Sequence, residues 1–136
     1  MPHLIVEYSA NIEDQIALDA LLDKLHTCAL GTGVFPIGGL RVRAHRADAY
    51  RIADKSPDNG FVHITALIGH GRPLDVQQRA AEELFAVLTK HLEPLYAKSP
   101  LALSLNVQEF HPVLNFKKNN LHEYVKRRGP KTSVPS

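Results

Sequence analysis

The sequence is poor in cysteine, and this limits the chemistry that the chain can carry. Among 136 residues only Cys28 has a thiol, so an intrachain disulfide is excluded. Cys28 falls inside an apolar helical pattern, which favours a structural buried thiol over a nucleophile. A chain without disulfides is typical of a reducing compartment, so we expect a cytoplasmic protein.

Long apolar runs are also missing. No stretch approaches the roughly 18 to 20 apolar residues that a membrane span needs, and Glu7 interrupts the first apolar segment too early for a secretory signal. The formal net charge is only +2. The basic run Lys126–Arg128 has no aromatic stacking platform beside it, and such short runs are usually solvated. We therefore expect neither a membrane nor a nucleic acid as a partner.

Motifs for common cofactor and metal sites are absent from the sequence. It contains no Walker loop, no GxGxxG and no GxSxG, which disfavours the commonest nucleotide-binding and acyl-transfer sites. The histidines show no HxH, HxxxH or HExxH spacing, and the lone cysteine adds no ligand pair. We expect no metal.

The apolar pattern predicts a β-α-β unit that occurs twice. Strands are predicted from Pro2 to Tyr8, Leu40 to His45, Phe61 to Ile68 and Leu101 to Gln108, with helices over 18–29 and 81–95, the second one frayed or kinked near Pro94. Because each helix connects strands that should be parallel, we expect an α+β fold: a four-stranded sheet with two helices on one face. The uncovered face predicts a homo-oligomer.

The composition predicts one domain over residues 1–126. Its 44% of hydrophobic residues is enough for an ordinary core. Residues 127–136 show no apolar periodicity, so we expect them to form a flexible basic tail.

Pro2 is the first candidate for chemistry. Methionine is normally trimmed before a small residue such as proline, and the product is a secondary amine on a rigid ring. Burial and nearby arginines would lower the pKa of this amine and make it a usable base. Many proteins begin with Met-Pro by chance, so the dipeptide alone does not assign this role.

Three arginines are candidates for binding a carboxylate. Arg72 lies between the end of a strand and the start of a helix, where free N–H groups already favour an anion. Arg41 and Arg43 share one face of a strand, and a planar guanidinium can hold a carboxylate through paired hydrogen bonds. An unused surface arginine and a solvated edge strand would give the same sequence pattern.

Four separated segments resemble the 5-carboxymethyl-2-hydroxymuconate isomerase family of the tautomerase superfamily. They are PHLIVEYSANI, TGVFPIGGLRVRAHRADAYRIAD, FVHITALIGHGR and FHPVLNFKKNNLHEY, and the resemblance extends from Pro2 to about Lys126. It implies a tautomerase-like double βαβ subunit that assembles as a homotrimer. It also implies Pro2, Arg72 and Arg41 as catalytic residues, with Arg43 as a substrate-binding residue.

The implied reaction is a cofactor-independent isomerisation in homoprotocatechuate (4-hydroxyphenylacetate) catabolism. The substrate would be a small dicarboxylate or tricarboxylate, 5-carboxymethyl-2-hydroxymuconate, which is converted to its conjugated 2-oxo isomer. Two alternatives stay open. One is another proline-based tautomerase or a hydratase of a small unsaturated oxo acid, and the other is a non-catalytic βαβ binding module.

Overall fold

Four strands form one sheet in the computed structural model, which describes residues 1–129. They are β1 (His3–Ser9), β2 (Arg41–Ala47), β3 (Gly60–Ile68) and β4 (Leu101–Glu109), in the spatial order β2-β1-β3-β4. β1 pairs with β2 and β3 pairs with β4 in parallel, and the central β1–β3 pair is antiparallel. The predicted double βαβ sheet is confirmed.

The helices that connect the parallel strands lie together on one face of the sheet. α1 (Leu18–Gly31) connects β1 to β2, and α2 (Leu74–His91) connects β3 to β4 with the short α3 (Glu93–Lys98) after it. The irregularity predicted near Pro94 is the boundary between α2 and α3. Pro94 lies in the first turn of α3, where no N–H donor is needed. No helix within residues 1–129 is long and apolar enough to cross a membrane.

Buried and half-buried side chains alternate along the central strands, so the sheet has a core face and an open face. On β3, Val62, Ile64, Ala66 and Ile68 are buried, and they share their face with buried residues of β1 such as Leu4. Buried residues of α1 and α2 complete the core. Side chains on the opposite face are only half-buried at the centre of the sheet; they include Ile5, Phe61, Thr65 and Leu67.

The chain after β4 departs from the sequence-based expectation. Helix α4 (Leu121–Arg128) was not predicted, and it runs through Arg127 and Arg128, which the sequence pattern places in a flexible tail. Its apolar residues Leu121, Tyr124 and Val125 have helical spacing, but the helix is only eight residues long and none of its residues is buried. Residues 130–136, the rest of the predicted tail, lie outside the described residues.

Leu88→Ala tests the core. Leu88 is fully buried between α2 and the sheet, so we expect a loss of about 2 to 5 kcal/mol in the free energy of unfolding through lost burial and a cavity. Leu74→Ala in the same helix is the control, because Leu74 is 78% exposed. Urea unfolding at one protein concentration measures both variants, and an equal loss in both would contradict this assignment of the core.

Candidate active site

The sheet topology brings three distant parts of the chain to one place. β2 is parallel to β1, so Arg41 at its start lies opposite His3. β3 is antiparallel to β1, so its end lies beside the start of β1, with His3 opposite Leu67. The turn that carries Arg72 follows β3 directly. Pro2, Arg41 and Arg72 therefore meet at one end of the sheet.

Pro2 is buried at the start of β1. Its carbonyl oxygen accepts a hydrogen bond from the backbone N–H of Arg41, with an N···O distance of 3.1 Å. A Cβ atom on Gly39 would lie 3.3 Å from Cδ of Pro2, which is closer than most such contacts. Glycine at position 39 thus lets the two segments approach each other closely.

Arg41 and Arg43 point to the same open face but make different contacts. Nη1 of Arg41 donates to the carbonyl oxygen of Gly39 at 2.8 Å. Nη1 of Arg43 lies 2.9 Å from Nδ1 of His3, which accepts because the guanidinium can only donate. Burial and then the charges of Arg43 and Arg41 lower the pKa of His3. Arg41 is therefore the arginine beside the amino terminus, and Arg43 holds His3.

The turn that carries Arg72 is fixed by hydrogen bonds through its backbone. The Gln77 side chain donates to the carbonyl oxygen of Arg72 at 2.8 Å and to Oε2 of Glu109 at 2.9 Å. The same carboxylate oxygen accepts the N–H of Gly71 at 3.3 Å. Gly71 has a φ of 108°, a conformation that favours glycine. Gln77 and Glu109 thus position Arg72 through its main chain.

The electrostatic environment at the amino terminus favours a neutral amine. Partial burial lowers the pKa of the terminal amine of Met1, followed by the positive charges of Lys117, Arg41 and Arg72 in that order. Each of these effects opposes protonation of an amine. A larger fraction of an amine at this end of the sheet is accordingly neutral, and free to accept a proton, than of the same amine in water.

Comparison with known proteins decides the family. The sequence profile described as 5-carboxymethyl-2-hydroxymuconate isomerase matches residues 2–125. A 5-carboxymethyl-2-hydroxymuconate Delta-isomerase of Escherichia coli is 43% identical over 126 residues, which are 93% of this chain and 100% of that protein. The chain belongs to the 5-carboxymethyl-2-hydroxymuconate isomerase family.

Solved structures agree with membership of the 5-carboxymethyl-2-hydroxymuconate isomerase family. A 5-carboxymethyl-2-hydroxymuconate isomerase from Deinococcus radiodurans R1 superposes with a TM-score of 0.86 at 39% identity, covering 91% of this chain and 93% of that one. A member of the cis-3-chloroacrylic acid dehalogenase family has a TM-score of 0.58 at 19% identity, covering 96% of this chain and 94% of that one. The second likeness extends to the fold alone.

Sequence reasoning missed a part of this family member's site that comes from the chain after β4. A cavity of about 230 Å³ adjoins the amino terminus, and its walls are Met1, Pro36, Gly39, Lys117, Asn119 and His122. The last three lie in an irregular segment and an exposed helix, where neither spacing nor burial marks them. The only signal in the sequence was their place within the segment FHPVLNFKKNNLHEY.

Metal-ligating groups are not clustered in the described part of this 5-carboxymethyl-2-hydroxymuconate isomerase family member. Within residues 1–129 no set of three or more His, Cys, Asp or Glu side chains is placed to hold an ion. Partial burial raises the pKa of the Cys28 thiol, with a smaller contribution from Glu83, and this opposes formation of a thiolate. What the site offers instead is an amine surrounded by cations, which can move protons and stabilise an anion.

Proposed function

We propose that this chain is a cofactor-independent isomerase that converts 5-carboxymethyl-2-hydroxymuconate to its conjugated 2-oxo isomer. Family membership supports the reaction, together with 43% identity to the Escherichia coli protein of that name. The observation that carries the proposal is the amino terminus itself, which lies beside the start of β2 and is a partly buried amine. Its pKa is lowered by that burial and then by the charges of Lys117, Arg41 and Arg72. This combination fits a proton transfer that passes through an anionic intermediate. We place the reaction in the breakdown of homoprotocatechuate.

Pro2 is the catalytic base in this proposal, once Met1 has been removed. The Pro2 nitrogen is an amide in the unprocessed chain and has no basic lone pair. After processing it is a secondary amine among the cations that now surround the amine of Met1. Neutral Pro2 takes the proton of the 2-hydroxyl group and becomes a prolinium. The prolinium then delivers a proton to C5 of the substrate, which restores the neutral amine.

Arg41 and Arg72 stabilise the intermediate between the two proton transfers. The intermediate is a dienolate that also carries carboxylates, so fixed cations offset the charge that develops and orient the chain of the substrate. Arg41 is fixed by the Gly39 carbonyl and Arg72 by its anchored turn. Arg43 contributes to substrate binding through the open face of the sheet, where it contacts His3.

The proposal extends to assembly as a homotrimer in the cytoplasm. Its support is the sheet face opposite the helices, where Ile5, Phe61 and Leu67 stay half-buried with no helix of the core packed on them. Packing of such a face against copies of the same chain removes its apolar atoms from water. A site near a subunit boundary would follow, because Arg41 and Arg43 lie on this face.

Blocking the Pro2 nitrogen tests the base. An alanine inserted between Met1 and Pro2 keeps the proline ring but makes its nitrogen an amide, so we expect kcat to fall by about 100-fold to 10,000-fold. The measurement is isomerisation of 5-carboxymethyl-2-hydroxymuconate followed by ultraviolet absorbance, with intact mass to establish loss of Met1 in the wild type. Pro2→Ala, which leaves a primary amine, is the companion variant. An insertion variant as fast as the wild type would remove Pro2 from the chemistry.

Alanine substitution distinguishes the proposed roles of the three arginines. We expect Arg41→Ala and Arg72→Ala to lower kcat/KM by about 100-fold to 1,000-fold, the usual effect of losing one group that stabilises an anion. Arg43→Ala should mainly raise KM, and its effect on kcat/KM should be smaller than that of the other two variants. Arg79→Ala, at an exposed position of α2, is the control and should leave both constants unchanged. Equal losses at Arg41 and Arg79 would refute the assignment.

The assembly is tested by mass in solution. Light scattering should give three times the chain mass of 15.1 kDa. Thr65→Glu, which places a charge at the centre of the open sheet face, should shift this mass downward, since burying an unpaired carboxylate is costly. Gln78→Glu on the exposed side of α2 should not. A wild type with the mass of one chain would overturn the trimer.

A further inference from the structure

Three cations near the amino terminus have no acidic partner in the described part of the chain. The positive charges of Arg41, Arg72 and Lys117 all act on the terminal amine and lower its pKa, in addition to the effect of burial. The ion pairs among residues 1–129 involve other cations, namely Arg46, His70 and Arg127. A group of like charges left unpaired around one site favours an anionic ligand.

Lys117 is brought to this place by contacts of the chain after β4. The N–H of Phe110 continues the sheet by donating to the carbonyl oxygen of Ile68 at 2.8 Å. Further on, the side chain of Asn119 donates to the carbonyl oxygen of Gly38 at 2.9 Å. The ring of His122 packs so closely over Gly38 that a Cβ atom there would clash with it. These contacts hold the segment around Lys117 against the loop before β2.

Lys117 and the arginines differ in their relation to the cavity beside Met1. Lys117 is one of its walls, and neither Arg41 nor Arg72 lines it. Met1 also lines it, with Cα 3.5 Å from the Cβ position of Gly39. Removal of Met1 would therefore open this cavity of about 230 Å³ toward the Pro2 nitrogen. A carboxylate held by Lys117 would be a different one from those held by the arginines.

The substrate carries one carboxylate for each of these cations. A muconate has a carboxylate at each end of its diene chain, and the carboxymethyl branch adds a third. We propose that Lys117 binds the carboxymethyl carboxylate and thereby sets a preference for the tricarboxylate over a dicarboxylate that lacks the branch. This inference rests on the proposed function and assigns a specificity-determining residue to it.

Lys117→Met tests the assignment against two substrates. We expect kcat/KM for 5-carboxymethyl-2-hydroxymuconate to fall about tenfold or more, because a charge-assisted hydrogen bond is lost. For 2-hydroxymuconate, which lacks the branch, the change should stay within about twofold when both constants are measured above the acidic limb of the pH profile. Where the dicarboxylate is turned over too slowly, its inhibition constant replaces kcat/KM. Lys117→Arg should retain most of the preference.

Lys118→Met is the matched control, because it removes the neighbouring exposed lysine. The pH profile gives a second readout. Lys117 is the first of the cations that lower the pKa of the terminal amine, and removing a cation raises that pKa. The acidic limb of kcat/KM should therefore move to higher pH in Lys117→Met and remain in place in Lys118→Met.

The possible failures are distinguishable. An equal loss on both substrates, or no loss on either, overturns the assignment of Lys117 while the wild-type activity upholds the proposed function. A wild type that isomerises neither substrate overturns the proposed function, and the assignment of Lys117 fails with it. Selective loss on the tricarboxylate supports both.

Discussion

The parallel pairing of β1 with β2 is the constraint on which the site depends. Its first hydrogen bond, from the N–H of Arg41 to the carbonyl oxygen of Pro2 at 3.1 Å, fixes the amino terminus beside a guanidinium. Successive residues of a strand point to opposite faces. A slip of one residue would therefore turn Arg41 toward the helices and place Val42 on the open face. Antiparallel pairing with β3 then adds the turn that carries Arg72.

The hydrogen bonds that hold the chain near Arg72 and Lys117 act through the main chain and leave these two cationic side chains available. Gln77 and Glu109 hold the backbone around Arg72, and Asn119 holds the backbone of Gly38. Grouping cations around a partly buried amine opposes the stability of the fold, since like charges repel. Such a conflict between stability and charge is expected where a site is organised for a ligand.

The sequence predicted the long elements with a strong period and missed the short helix after β4. β3 alternates strictly between buried and half-buried residues, so its bounds were predicted nearly correctly. Helix α4 was missed because it is only eight residues long and buries no residue. Arg41 and Arg43 could not be separated, because residues two apart on a strand share a face. Only the register with Pro2 and His3 distinguishes them. Lys117 was missed because tertiary contacts of Asn119 and His122 place it.

The two βαβ halves of the fold are alike, yet they differ in one covalent detail. Pro2, the proposed base, directly precedes β1, whereas β3 begins at Gly60, whose nitrogen is a peptide amide that donates to the carbonyl oxygen of Pro100 at 3.0 Å. An amide nitrogen has no lone pair available for a proton. Internal symmetry can therefore duplicate the scaffold but not the base proposed at Pro2, and the proposed mechanism has one such base in each chain.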